Sequence, residues 1–249
     1  MKTITLTLAL LGVTFLLFLS SCATPQPVSR LQPIEQEGIT KWRYGSQLVT
    51  LPEQDGLEVG IAYRSSTPGY LVFEVKIRNG SGKPVLISPE QFFYEPLARD
   101  TITAVASKVF ANDPEQMLLE FDKKESRIRA AQQNETASEL LSITTNLVED
   151  ISTNNESSED LQRKWTERDA RRAEYEGSQA NYQLNFLSLD EERSYWANRT
   201  IRRTTLDPGY EMTGTVFFLR NNKAAFVRLN VTIDDKVFPV TFWQILYKP

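Results

Sequence analysis

Cys22 is the only thiol in a chain of 249 residues that contains no histidine. A lone cysteine forms no disulfide within its own chain. Without a second cysteine or a histidine it also builds no thiolate metal site and no Cys-His pair. The absence of histidine removes Ser-His nucleophiles and every imidazole metal site as well. Carboxylate chemistry survives this elimination: a facing pair of Asp or Glu side chains for glycoside hydrolysis, or an oxygen cage for calcium. The acidic pairs fit quieter roles. Asp234-Asp235 lies between two strand patterns and reads as a hairpin tip, whereas Glu149-Asp150 and Glu159-Asp160 read as solvated helix ends. Arg171-Arg172 and Arg202-Arg203 are expected in solvent or paired with Glu191 and Glu192. No catalytic residue, no metal and no cofactor is expected.

The surroundings of Cys22 give it a specific use. Lys2 supplies a positive start, Ile4 to Leu19 is almost wholly apolar, and the run ends at Ser20-Ser21-Cys22. A charged start, a short apolar run and small residues describe a secretory signal over residues 1–21. The run is short for a membrane span, which needs roughly 20 apolar residues. Leu19-Ser20-Ser21-Cys22 resembles the bacterial lipoprotein box. In that family the thiol takes a diacylglycerol, cleavage falls before the cysteine, and the new amine is acylated. The resemblance implies lipidation at Cys22 and attachment to a membrane through the N-terminal lipid, with each buried CH₂ contributing about 0.8 kcal/mol. Residues 22–44 then read as lipid anchor and tether, with Pro25 and Pro27 favouring extended chain. In such lipoproteins an aspartate after the cysteine retains the protein at the inner membrane, and Ala23 departs from that. No acidic cluster of the surface-export kind follows before Glu35. The expected location is the outer membrane, on its periplasmic face.

Charge narrows the partners. Removing Lys2 with the leader takes 28 basic residues to 27 against 32 acidic ones, a net charge of −5. A general nucleic-acid binder needs a basic face to neutralise phosphates, so none is expected here.

Two β-rich stretches flank a helical one. From Tyr70 to Arg78, Leu71, Phe73, Val75 and Ile77 alternate with Glu74, Lys76 and Arg78, the period of a half-buried strand. Asn79-Gly80-Ser81-Gly82 is a turn. Val227, Leu229, Val231 and Ile233 alternate in the same way after a hairpin loop at Arg220 to Lys223, and Phe238, Val240 and Phe242 follow. Asp113-Pro114-Glu115 opens the helical part, with aspartate as N-cap and proline at the first helical position. Met117, Leu118, Phe121 and Ile128 fall at helical spacing, and Ala137 to Ile151 gives a denser stripe. The polar run Ser152 to Ser158 interrupts the helix, Leu161 to Tyr175 resumes it, and Leu189 to Asn198 reads as a last short helix.

Seven or eight short strands in two flanks of about 115 residues together approach the roughly 100 of an immunoglobulin-like sandwich. Neither flank alone buries enough surface to be stable. The expected fold is mainly β with an α insertion (α+β): an immunoglobulin-like β-sandwich over residues 45–110 plus 200–249, interrupted by a helical insertion over 111–199. Asn79 to Pro84, Ala111 to Glu115, and Thr204 to Gly209 before Gly214 to Phe218 resemble the corresponding stretches of a group of Bacteroidota lipoproteins. That resemblance implies a lipid-anchored sandwich with helices between its strands and brings no catalytic residue. Asp100-Thr101-Ile102 resembles the short O-glycosylation motif of these bacteria, which makes Thr101 a candidate acceptor.

Three functions are open at this level. The first is a non-catalytic binding or assembly module, with Leu140, Leu141, Leu147, Val148 and Ile151 as a stripe for a protein partner or for self-association. The second is a carboxylate-dependent enzyme acting on glycans. The third is a carbohydrate-binding module using aromatics among Phe92, Phe93, Tyr94, Phe217, Phe218, Phe242 and Trp243, although these also suit packing beneath the helices.

Overall fold

The computed structural model describes residues 27–34, 38–43, 45–152 and 157–247, with side chains described outside 149–152. Cys22 and the leader at 1–21 lie outside the described residues. The described chain is a mixed α and β structure: twelve strands in three antiparallel sheets, and two long helices. One five-stranded sheet runs, in spatial order, β1 (Val28–Pro33), β12 (Lys236–Tyr247), β11 (Phe226–Ile233), β7 (Phe93–Leu97) and β8 (Val109–Phe110). The other runs β10 (Glu211–Leu219), β5 (Tyr70–Asn79), β4 (Leu57–Ser66), β3 (Ser46–Thr50) and β2 (Ile39–Arg43). A small third sheet pairs β6 (Val85–Ile87) with β9 (Thr204–Leu206).

The two large sheets share one apolar core. The alternating residues make it: Leu71, Phe73, Val75 and Ile77 from β5 meet Val227, Leu229, Val231 and Ile233 from β11 and Phe238, Val240 and Phe242 from β12, all buried. Ring contacts tie the layers together, Phe73 to Phe242 at 5.3 Å and Tyr94 to Phe218 at 5.7 Å between centroids. Each such aliphatic or aromatic side chain contributes about 1.5–3 kcal/mol on burial. The strands before and after the helices complete each other. β5 pairs with β10, β7 with β11 and β6 with β9.

Two details differ from the sequence expectation. The stretch read as tether contains β1 and β2: β1 pairs with β12, and β2 with β3. Strand β1 is held because Leu31 is buried, and because the Tyr63 and Ser66 hydroxyls donate to the Ser29 carbonyl at 2.7 and 2.6 Å. The helical block is also simpler and larger than three pieces. α1 (Pro114–Ser152) and α2 (Ser158–Arg199) run for 39 and 42 residues, and the segment read as a last short helix is continuous with α2. Helix thus accounts for about as much of the chain as strand.

Two glycines are demanded by the fold. At Gly56, φ is +84°, and a Cβ there would lie 2.5 Å from the Ser81 Cα. At Gly214 a Cβ would lie 2.8 Å from the Ile201 side chain, where the chain leaving α2 crosses β10. Asn79 closes the turn facing Gly56. Its amide donates to the Lys83 and Leu206 carbonyls, both at 2.8 Å, while its Oδ1 accepts from the Ser81 amide and hydroxyl.

Candidate functional site

The helices form an antiparallel hairpin whose root alone is packed in an apolar core. The Asp113 carboxylate accepts from the Glu115 amide at 2.9 Å and caps α1, with Pro114 at its first position. Ser157 caps α2 through the Asp160 amide. At the root, Phe121, Leu189 and Trp196 are buried, with Met117, Leu118, Ile128 and Phe217 partly buried against them. Beyond it, no described residue from 122 to 148 or from 157 to 188 is buried. Helix rise is about 1.5 Å per residue, so Val148 lies about 40 Å along the axis from Phe121. Among the described residues, no helix is long and apolar enough to cross a membrane.

The seam between the helices is polar. On α1 the half-buried residues Glu125, Ile128, Gln132, Glu135, Glu139, Ser142 and Asn146 recur at alternating steps of three and four, which is coiled-coil spacing. Only one of them is apolar. Across the seam Gln132 donates to Gln179 at 2.8 Å, Thr136 meets the Tyr175 hydroxyl at 3.3 Å, and Arg171 donates to Ser142 at 2.6 Å. The Ser178 hydroxyl donates to Glu135. A hydrogen bond to the Glu135 carboxylate pushes the Tyr182 phenol above its ordinary pKa. Nearer the root, Arg193 pairs with Asp122 at 2.9 Å and Arg202 with Glu115 at 2.6 Å.

With polar groups in the seam, the apolar stripe points elsewhere. Leu140, Leu141, Leu147 and Val148 are between 58% and 70% exposed. They fall as two pairs seven residues apart, one full repeat of the seam spacing. The Ile151 side chain lies outside the described residues. On α2, Leu184 and Leu187 are exposed to a similar degree. Near the tip, Ile143, Leu147 and Trp165 line a groove of about 670 Å³ whose other walls include Arg168, Arg171 and Arg172. Sequence reading missed Trp165. Its four-residue step from Leu161 was the available signal, and the charged residues around it hid that spacing.

The remaining candidates separate. Thr101 sits at an exposed turn between β7 and β8 with φ of +61°, and its hydroxyl donates to the Asp100 carbonyl at 2.6 Å. The Asp100 carboxylate accepts from the Thr103 hydroxyl at 2.6 Å and from the amides of Ile102 and Thr103, and these bonds hold its pKa below the ordinary aspartate value. Asp234 and Asp235 form the β11–β12 turn, with Asp235 paired to Lys236 at 3.2 Å. Expected in solvent or paired with Glu191 and Glu192, arginines of the two pairs reach other carboxylates among the described residues. Arg202 reaches Glu115, Arg203 reaches Glu90 at 3.8 Å, and Arg172 reaches Glu176 at 3.3 Å. Glu191 and Glu192 are exposed on α2, whereas Glu115 at the start of α1 meets Arg202. Among the described residues, no group of three Asp, Glu, His or Cys side chains converges on a metal-sized site.

The aromatics divide by strand parity. Phe92, Tyr94, Phe218 and Phe242 are core. Phe217 faces outward and receives the helices, stacking on Trp196 at 4.4 Å. Phe93 lies against Phe110 and beneath the Lys108 ammonium, and Trp243 is 48% exposed. No protein-family model, no curated protein and no solved structure matches the chain.

Proposed function

We propose that this is a lipid-anchored cell-envelope protein of binding or assembly type, in which the α1–α2 hairpin is an arm that docks a protein partner. The carrying observation is the inversion of the arm: a polar seam inside, and Leu140, Leu141, Leu147 and Val148 outside. An isolated helical hairpin gains most by turning leucines inward, because helical stability comes mainly from burying the apolar face. Apolar side chains held outward over about 12 Å near the far end of the arm are suited to burial against another helical surface, and contiguous exposed apolar patches mark interaction sites. Anchoring is supported by the residues from Lys2 to Cys22, which also support export to the outer membrane. The two facing antiparallel sheets suit an immunoglobulin-like sandwich that carries the arm and supplies its rigid root.

A photo-crosslinking residue placed at Leu141 or Val148 tests the arm in intact cells. The expected product is a discrete adduct larger than the monomer, from the same partner at both positions. Leu140→Glu with Leu147→Glu should abolish it while far-ultraviolet circular dichroism is unchanged. Monomer alone at both positions would overturn the reading. Adduct mass separates a second copy of this chain from a different protein.

A further inference from the structure

The face of the β1–β12–β11 sheet beside the chain's exit towards Cys22 combines exposed aromatic and aliphatic side chains with cations. On β1, Val28 and Arg30 point outward. On β12, Trp243, Ile245 and Tyr247 do so. Register places them side by side: Val28 opposite Tyr247, Arg30 opposite Ile245, and Trp243 between Gln32 and Phe226. Val28, Trp243 and Tyr247 are 61%, 48% and 51% exposed. Next to Trp243, a concavity of about 600 Å³ is lined by Phe226, Arg99 and Lys223.

The chain leaves the sheets at this place and is held there. The Arg220 guanidinium donates to the Pro27 carbonyl at 2.6 Å and to the Thr67 carbonyl at 3.1 Å. Five residues lie between Cys22 and Val28, and the six fully extended steps reach only about 20 Å. A lipid on Cys22 therefore keeps Val28 and Tyr247 within about 20 Å of the acyl chains, less than the thickness of a small domain.

We infer that this face is a membrane-docking surface, lying on the headgroups of the same bilayer that holds the Cys22 lipid. Trp and Tyr suit that interface because one end of each ring system is apolar and the other hydrogen-bonds. Arg30, Arg99 and Lys223 supply positive charge facing anionic headgroups, on a chain that is net acidic. Docking also orients the body, because attachment at a single point fixes distance and not direction. The inference rests on the reading of Cys22 as the lipid-bearing residue.

The test uses full-length processed protein in vesicles of phosphatidylethanolamine and phosphatidylglycerol whose acyl chains are brominated. Subtracting the emission of Trp243→Phe protein isolates the Trp243 signal. That signal should lose most of its intensity in brominated vesicles and be shielded from aqueous acrylamide. Arg30→Glu with Lys223→Glu should restore intensity and acrylamide access. Intact mass of the same preparation reads the anchor separately. A lipid-bearing Cys22 with Trp243 open to acrylamide overturns the docking surface alone. An unmodified Cys22 overturns the anchor and the docking surface together.

Discussion

Trp196 of α2 and Phe217 of β10 stack at 4.4 Å between ring centroids, 26° from parallel, and this contact is where the helical arm is fixed to the sheets. Tyr195 meets the same ring edge-on at 5.9 Å, and just beyond them Ile201 is buried and its amide donates to the Thr215 carbonyl at 3.0 Å. Because the sheets keep their own core, the two bodies should respond differently to damage here. Trp196→Ala should cost about 3 kcal/mol at the root, the usual range for truncating a buried aromatic. A double-mutant cycle with Phe217→Ala should give about 1 kcal/mol of coupling. Hydrogen exchange is the readout: amides around Leu189 to Arg199 lose protection and those of β5 and β11 keep it. Uniform loss in both would show that root and sheets unfold as one unit.

Gly56 offers a test of the sheet connections. Its positive φ disfavours any side chain, and the space that a Cβ needs is filled by the Ser81 backbone. The Gly80 amide also donates to the Gly56 carbonyl at 2.7 Å, so neither chain can retreat without losing that bond. Gly56→Ala should destabilise by about 2 kcal/mol or more, since both strain and clash act in the folded state. A urea midpoint equal to that of the parent protein would refute the account.

The strands were readable because their side chains obey one rule throughout. From Leu71 to Ile77 and from Val227 to Ile233, every second residue is apolar and every such residue is buried. β1 and β2 were not readable. Val28 to Pro33 offers one buried aliphatic residue, Leu31, and Ile39 to Arg43 is exposed throughout. Their strand character comes from pairing with β12 and β3, a long-range property absent from the local pattern. The stripe from Leu140 to Val148 was visible as apolar residues at helical spacing, but its direction was not. Direction depends on which face meets α2, and that face is chosen by polar pairs such as Gln132–Gln179, 47 residues apart. The exposed group on β1 and β12 was hidden for the same reason, since Val28 and Tyr247 meet only through strand register.

Tyr94 carries a pH prediction. It is fully buried between the sheets, and its hydroxyl donates to the Leu219 carbonyl at 2.7 Å. Burial disfavours the phenolate and pushes its pKa up to about 12. The folded value lies above the unfolded value of about 10, so the neutral phenol's contribution is complete below pH 10. It declines as pH rises from 10 and is lost on passing 12. Phenolate absorbance should therefore show a late step for Tyr94, above the ordinary tyrosine range. Tyr94→Phe removes that late step and leaves the Leu219 carbonyl without its donor, at a cost of about 1–2 kcal/mol. A late step that persists in Tyr94→Phe would assign it elsewhere.

The polar seam makes the sharpest prediction about the arm. Gln132 and Gln179 are both half-buried; the Gln132 amide donates to the Gln179 Oε1 at 2.8 Å, while the buried Gln179 Nε2 has no partner among the described residues. Changing either to leucine alone strands the remaining amide and should cost about 1 kcal/mol. Changing both replaces an amide pair with an apolar pair at seam positions, which is neutral to stabilising when no polar group is left behind. The helical signal at 222 nm should thus melt earlier in each single variant and at or above the parent temperature in the double variant. The seam pair would then be retained for pairing specificity rather than strength: polar partners at a seam position fix which residues face inward. The double variant tests that as well. With leucines available on both sides, the reason for Leu140, Leu141, Leu147 and Val148 to stay outward weakens, and crosslinks from Leu141 should shift from a partner towards α2. Crosslinks that stay unchanged would mean that packing at the root, around Trp196 and Phe217, sets the arm's orientation without help from its seam.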